Sequence, residues 1–130
     1  MTQIHAFLMF TGKAEEAMNF YVSLIPNSRV LDVKKYGKET PGREGTVMLA
    51  RFELAGKEHR CIDSPPVHAF TFTPSMSLFV DCDSEAELDR LYAALVEGGG
   101  ALMPLGNYGF SRKYGWVNDR FGVSWQLNLP

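Results

Sequence analysis

Apolar and polar positions along the chain change period from stretch to stretch, and each change marks an element. Gln3–Phe10 (QIHAFLMF) is short, apolar and aromatic, the pattern of a buried strand, and Thr11-Gly12 breaks it. From Lys13 to Ile25 the residues Ala17, Phe20, Tyr21, Leu24 and Ile25 return at helical spacing. Glu15 and Glu16 sit near the start of that helix, where its dipole favours negative charge, and Pro26-Asn27 ends it. Arg29–Tyr36 alternates like a strand, and Gly37–Gly45 (GKETPGREG) is a polar loop. Thr46–Leu54 and Lys57–Asp63 predict two strands, joined as a hairpin by Ala55-Gly56.

After the Pro-containing bridge Ser64–Thr73, the same order starts again. Met76–Asp81 is strand-like, and Ser84 with Glu87 fits a capping box. Leu88, Leu91, Tyr92 and Leu95 then mark a helix face, which Gly98-Gly99-Gly100 terminates. Ala101–Leu105, Tyr114–Val117 and Val123–Leu129 complete the set as strands. The pairs Phe20-Tyr21 and Leu91-Tyr92 stand 71 residues apart, and the hairpin glycines Gly56 and Gly122 stand 66 apart. Element order and spacing therefore predict a repeat of two βαβββ modules, residues 1–68 and 69–130, with little residue identity between them.

Composition narrows the class without naming a chemistry. The chain has 130 residues, 45% hydrophobic and 22% charged, so a packed domain is expected. At this length a domain buries roughly two thirds of its unfolded surface, and no disulfide or metal staple is needed. Thirteen Lys+Arg against fifteen Asp+Glu, with no basic cluster, argue against a nucleic-acid partner. The apolar runs fall short of the roughly 18–20 residues that span a bilayer, and no secretory leader is visible, so a cytoplasmic protein without a membrane partner is expected. Cys61 and Cys82 have no metal-ligand spacing and read as ordinary free thiols.

Three segments carry a resemblance: FLMFTGKAEEAMNFYVSLIPNSRV near the start, FTFTPSMSLFVDCDSEAELDRLYAALVEGG in the middle, and FSRKYGWVNDRFGVSWQL at the end. They resemble the PhnB-like branch of the vicinal oxygen chelate (glyoxalase) superfamily, often labelled demethylubiquinone methyltransferase-like. The Gly-Trp-x-x-Asp-x-x-Gly-Val-x-Trp-Gln ending, Gly115 to Gln126, is the most specific piece. The resemblance implies an α+β fold of the glyoxalase/bleomycin resistance/dihydroxybiphenyl dioxygenase type. In that fold two βαβββ modules form a curved mixed sheet around a cleft for a small molecule, commonly in a homodimer. The methyltransferase label finds no support in the residues. A methyl-donor site in an α/β sheet uses a glycine turn from strand to helix, whereas Gly98–Gly100 leads from helix to strand.

The superfamily also implies a divalent metal held by His, Glu or Gln from the first and last strands of each module. On that pattern His5 and Gln126 are the candidate ligands. Alternation places His5, Phe7 and Met9 on one strand face, and Ser124, Gln126 and Asn128 on another, with Trp125 and Leu127 toward the helix. The other two positions fall on Ser75 or Ser77 and on Arg60, which cannot ligate a metal. His59 is turned to the opposite face by the pleat, and His68 lies in the bridge. The set is incomplete, and two readings stand. One is a small-molecule-binding protein whose cleft is lined by His5, Phe7, Arg60, Ser75, Ser77, Phe79, Trp116, Gln126 and Asn128. The other is a metal-dependent lyase, isomerase or transferase acting on a small oxygenated substrate through His5 and Gln126. Arg60 either receives a carboxylate or phosphate, or pairs structurally with Glu58 or Glu53. Tyr108–Trp116 is either a flap over a ligand or a turn with Trp116 in the core beside Trp125. Asp119 and Gly122 are turn residues.

Overall fold

The computed structural model describes residues 1–130, which divide into two compact units, Met1–Ala69 and Phe70–Pro130. Each is a βαβββ module with its own four-stranded mixed sheet. No helix is long and apolar enough to cross a membrane.

In the first unit β1 (Ala6–Phe10), α1 (Ala14–Leu24), β2 (Arg29–Lys35), β3 (Val47–Leu54) and β4 (Lys57–Asp63) follow in chain order. The sheet order is β1-β4-β3-β2, with β1 parallel to β4 and the other pairs antiparallel. One side of this sheet packs on α1. Leu8, Phe10, Phe52 and Cys61 are buried there with Ala14, Ala17, Met18 and Tyr21 of the helix. The helical face is therefore shifted from its expected place: Met18 is core, whereas Phe20 and Leu24 are only half-buried. The first strand is also shorter than its apolar pattern. Gln3–His5 stay outside the β1–β4 ladder, which starts at Ala6↔His59, and the His5 ring instead donates from Nδ1 to the Glu58 carbonyl at 3.2 Å.

No side chain of its own caps α1. Asp63, at the end of β4, does this from a distance, accepting from the backbone N–H of Gly12 at 2.7 Å and of Ala14 at 3.0 Å. Its second oxygen accepts from Val47 N–H at 2.9 Å. A carboxylate 2% exposed is thus fully engaged and ties helix, first strand and third strand together. The β3–β4 turn has positive φ at both Ala55 (51°) and Gly56 (80°), the two-residue hairpin geometry matched to strand twist.

The second unit repeats the plan with β5 (Leu78–Asp81), α2 (Glu85–Val96), β6 (Gly100–Gly106), β7 (Lys113–Asn118) and β8 (Ser124–Leu129). Its order is β5-β8-β7-β6, again with the first strand parallel to the last. The expected strand at Met76 begins two residues later, and Met76 is exposed. Ser84 caps α2 by accepting from Glu87 N–H at 3.1 Å. The Glu87 carboxylate accepts from Asp83 N–H at 3.0 Å, one residue ahead of the usual capping-box partner. Leu88, Leu91 and Leu95 are buried, and Tyr92 lies over Gly115, where an added Cβ would come within 3.0 Å of its ring. Asp119 holds the β7–β8 turn through Phe121 and Val123 N–H at 2.8 and 3.0 Å. Its other oxygen accepts from Trp125 Nε1 at 2.9 Å, anchoring a ring 1% exposed. The motif from Gly115 to Gln126 is thus largely a folding device.

Candidate functional site

Each sheet has a side turned away from its helix, and the predicted site residues other than Ser75 collect there. In the first unit that side carries Phe7, 59% exposed, paired in register with Arg60. Glu58 sits at its centre. Arg51 donates to it bidentately, Nε and Nη2 each at 3.0 Å, and Arg60 donates from Nε at 2.8 Å. Arg60 therefore pairs with Glu58, while Glu53 takes Arg29 at 2.9 Å. The hydrogen bonds from Arg51 and then Arg60 hold the Glu58 carboxyl down to about 2, and Glu58 in turn raises the Arg51 guanidinium. Arg51 is opposite Arg60 in the β3–β4 ladder, and sequence spacing did not reveal it as a member of the group. Asp32, in register with Arg51 on β2, adds a second carboxylate beside the two cations. Arg60 is bound only through Nε, so the end of its fork formed by Nη1 and Nη2 has no protein acceptor.

His5 stands beside this group, with Nε2 3.2 Å from Gln3 Oε1 and 3.8 Å from Glu58 Oε2. His59 is on the helix side, stacked on Phe52 with centroids 5.7 Å apart. His68 is exposed in the bridge.

In the second unit the residues turned from α2 form a neutral network. Tyr114 donates to Gln126 Oε1 at 2.5 Å, and Gln126 Nε2 donates to Ser77 Oγ at 3.1 Å. Ser77 and Ser124 share a hydroxyl hydrogen bond of 2.7 Å, and Trp116 Nε1 donates to Ser124 at 2.8 Å. Trp116 is half-buried, neither a core ring nor a free one. Phe79 pairs with Gln126 in register as Phe7 does with Arg60, which makes Ser77, rather than Ser75, the counterpart of His5. Ser75 is exposed and bonds Thr73 at 2.6 Å, outside the network. Asn128 donates from Nδ2 to Asp81 at 3.0 Å, leaving its own buried side-chain Oδ1 unpartnered. Of the proposed flap, Tyr114 is buried, while Tyr108 and Phe110 lean edge-on against it at 5.9 and 4.9 Å.

These donors do not fit a divalent metal. No group of three or more His, Cys, Asp or Glu side chains converges anywhere in the chain. The Gln126 amide oxygen is committed to Tyr114. A cation near His5 and Glu58 would face two guanidiniums that already hold the carboxylate. Neither thiol offers a nucleophile. Burial, reinforced by Asp63, pushes Cys61 up to about 12, and burial with Glu87 pushes Cys82 up to about 11. A hollow of about 380 Å³ near the start of α2 is lined by Asp83, Ser84, Glu85, Arg112, Lys113 and Leu129. Its lysine is spent on Glu85 and Asp89, at 2.9 and 2.8 Å.

Residues 2–128 match the family model described as 3-demethylubiquinone-9 3-methyltransferase. The chain belongs to this PhnB-like family. It is similar to the PhnB protein of Bacillus cereus, 54% identical over 99% of this chain and 100% of that one, with a TM-score of 0.95. A Pseudomonas aeruginosa protein of known structure is 30% identical over 99% and 98% of the two chains, with a TM-score of 0.85. A glyoxylase/bleomycin resistance protein/dioxygenase domain from Frankia, 16% identical over 99% and 98% with a TM-score of 0.63, shares the fold. No curated protein matches. This PhnB-like chain thus has the α+β glyoxalase fold that its segments resemble.

Proposed function

We propose that the protein binds a small anionic molecule on the first sheet, with Arg60 receiving its carboxylate or phosphonate. The observation that carries this reading is the free Nη1/Nη2 end of Arg60, held still through Nε by Glu58. A guanidinium fixed in this way loses little freedom when a two-oxygen anion docks on it. Phe7, opposite Arg60 and largely exposed, supplies apolar contact beside the charge. Glu58 is already ionised at neutral pH and is shared with Arg51, so it leaves the outer end of Arg60 open to an incoming anion.

Methyl transfer, named in the family description, is not carried over, since Gly98–Gly100 connects α2 to β6 and offers no strand-to-helix cradle. A metal-dependent reaction through His5 and Gln126 is the competing reading. It requires tight uptake of zinc, manganese or nickel by protein purified without chelator, and the donor set speaks against it. The reading also includes a homodimer, which a monomeric mass by light scattering would contradict.

Calorimetric titration with benzoate and phenylphosphonate tests the assignment. Arg60→Ala is expected to abolish measurable binding. Its Tm should move by no more than about 3 °C, because Arg51 still holds Glu58 and an exposed pair contributes little. Loss of the fold in that variant, or equal binding to wild type, would overturn the ligand role and leave Arg60 a structural partner.

A further inference from the structure

A serine hydroxyl brings one proton and two lone pairs, and that inventory can be closed for the network of the second unit. Ser124 Oγ accepts from Trp116 Nε1, and Ser77 Oγ accepts from Gln126 Nε2. The two hydroxyls then share a single hydrogen bond, although they carry two protons between them. One O–H is left without a protein acceptor. Ser124 is 1% exposed and Ser77 is half-buried. Leaving a donor unmade costs more where water cannot reach it, so Ser124 donates to Ser77, and the spare O–H belongs to Ser77. Tyr114, donating to Gln126 Oε1, fixes the amide so that Nε2 faces Ser77, and the second N–H of that amide has no protein acceptor either.

We propose that this face is a ligand site in its own right, taking a neutral aromatic molecule whose carbonyl oxygen accepts from Ser77 and Gln126. Every member of the network is uncharged at neutral pH, so a carboxylate there would lose water without gaining a counter-charge. A ketone, ester or amide oxygen needs only donors. Phe79, beside Gln126 in the β5–β8 register and 55% exposed, supplies a flank for the ring of the ligand. Phe110, 63% exposed and edge-on to Tyr114, supplies a second apolar surface next to the network. This site differs in sheet, charge and ligand class from the Arg60 site, and neither assignment depends on the other.

Acetophenone is the probe, titrated into the full chain while NMR follows the Trp116 indole N–H and the Gln126 side-chain amide. The expected result is a saturable shift of both signals at millimolar concentration, as suits a ligand of this size. Ethylbenzene, which has the ring without the oxygen, should bind about five- to tenfold more weakly, the worth of one or two neutral hydrogen bonds. Ser77→Ala should weaken acetophenone by a similar factor and leave ethylbenzene unchanged, while Ser77→Thr, which keeps the hydroxyl, restores acetophenone binding. Three outcomes would overturn the site: equal affinity for acetophenone and ethylbenzene, no saturable shift, or benzoate moving the same two signals at lower concentration than acetophenone.

Discussion

Arg51 and Arg60 face each other across the β3–β4 ladder, an arrangement of like charges that is unfavourable unless something lies between them. Glu58 fills that role, and it makes stability depend on pH in a defined direction. In the unfolded chain its carboxyl returns to the ordinary 4.5, whereas the folded value is about 2. Between these values the unfolded state takes up a proton that the folded state refuses, so stability falls as pH falls. Above about 5 the contribution is complete. Urea unfolding of wild type and Glu58→Gln should therefore differ by a constant amount above that pH. The difference should shrink toward zero as the pH approaches about 2; a gap that persists at low pH would mean the glutamate acts by packing and not by charge. From sequence, Glu58 could be seen as a partner for Arg60, two positions away on the same strand face. Arg51 could not, because its place depends on the hairpin register.

At the scale of elements, glycines that look alike in sequence carry separate duties. Gly98 has a φ of 76°, the left-handed turn that stops α2. At Gly99 a Cβ would lie 2.0 Å from the Asn118 carbonyl oxygen, so the limit there is backbone against backbone. Gly100 has open space around its Cα. Gly99→Ala is thus expected to lower stability by about 3 kcal/mol or more, whereas Gly100→Ala should cost under about 1 kcal/mol, both read from chemical denaturation. Comparable losses in the two would show that the helix stop alone matters. Sequence pattern found the helix stop and nearly every element, since apolar period and turn residues are local properties. It overextended β1 to Gln3 and β5 to Met76, because an apolar residue outside a ladder looks the same as one inside. It also left α1 without a cap, since Asp63 reaches that helix from 49 residues along the chain.

For the whole molecule, the repeat was legible from glycine spacing, and the equal pairing of Phe7 with Arg60 and Phe79 with Gln126 carries it to the level of single residues. The strand faces that carry the candidate residues were legible, but the side-chain partners were not: the Tyr114–Gln126 and Trp116–Ser124 bonds join strands through side chains whose reach no periodicity encodes. Each unit also holds one buried thiol, Cys61 in the first and Cys82 in the second. With pKa values pushed up to about 12 and about 11, neither should react with Ellman's reagent in native protein at pH 8, and both should react in guanidinium. A thiol that reacts without denaturant would identify the unit that opens locally.

The matched positions of Arg60 and Gln126 have a consequence for how such a protein changes over generations. The two modules share one framework, a helix packed on a four-stranded sheet of the same strand order. The sheet face turned from the helix is then free to diverge, because a substitution there leaves the shared framework intact. One module here carries fixed charge on that face and the other uncharged donors. A lineage can thus alter the chemistry that one face presents by replacing one or two residues, without having to rediscover a fold.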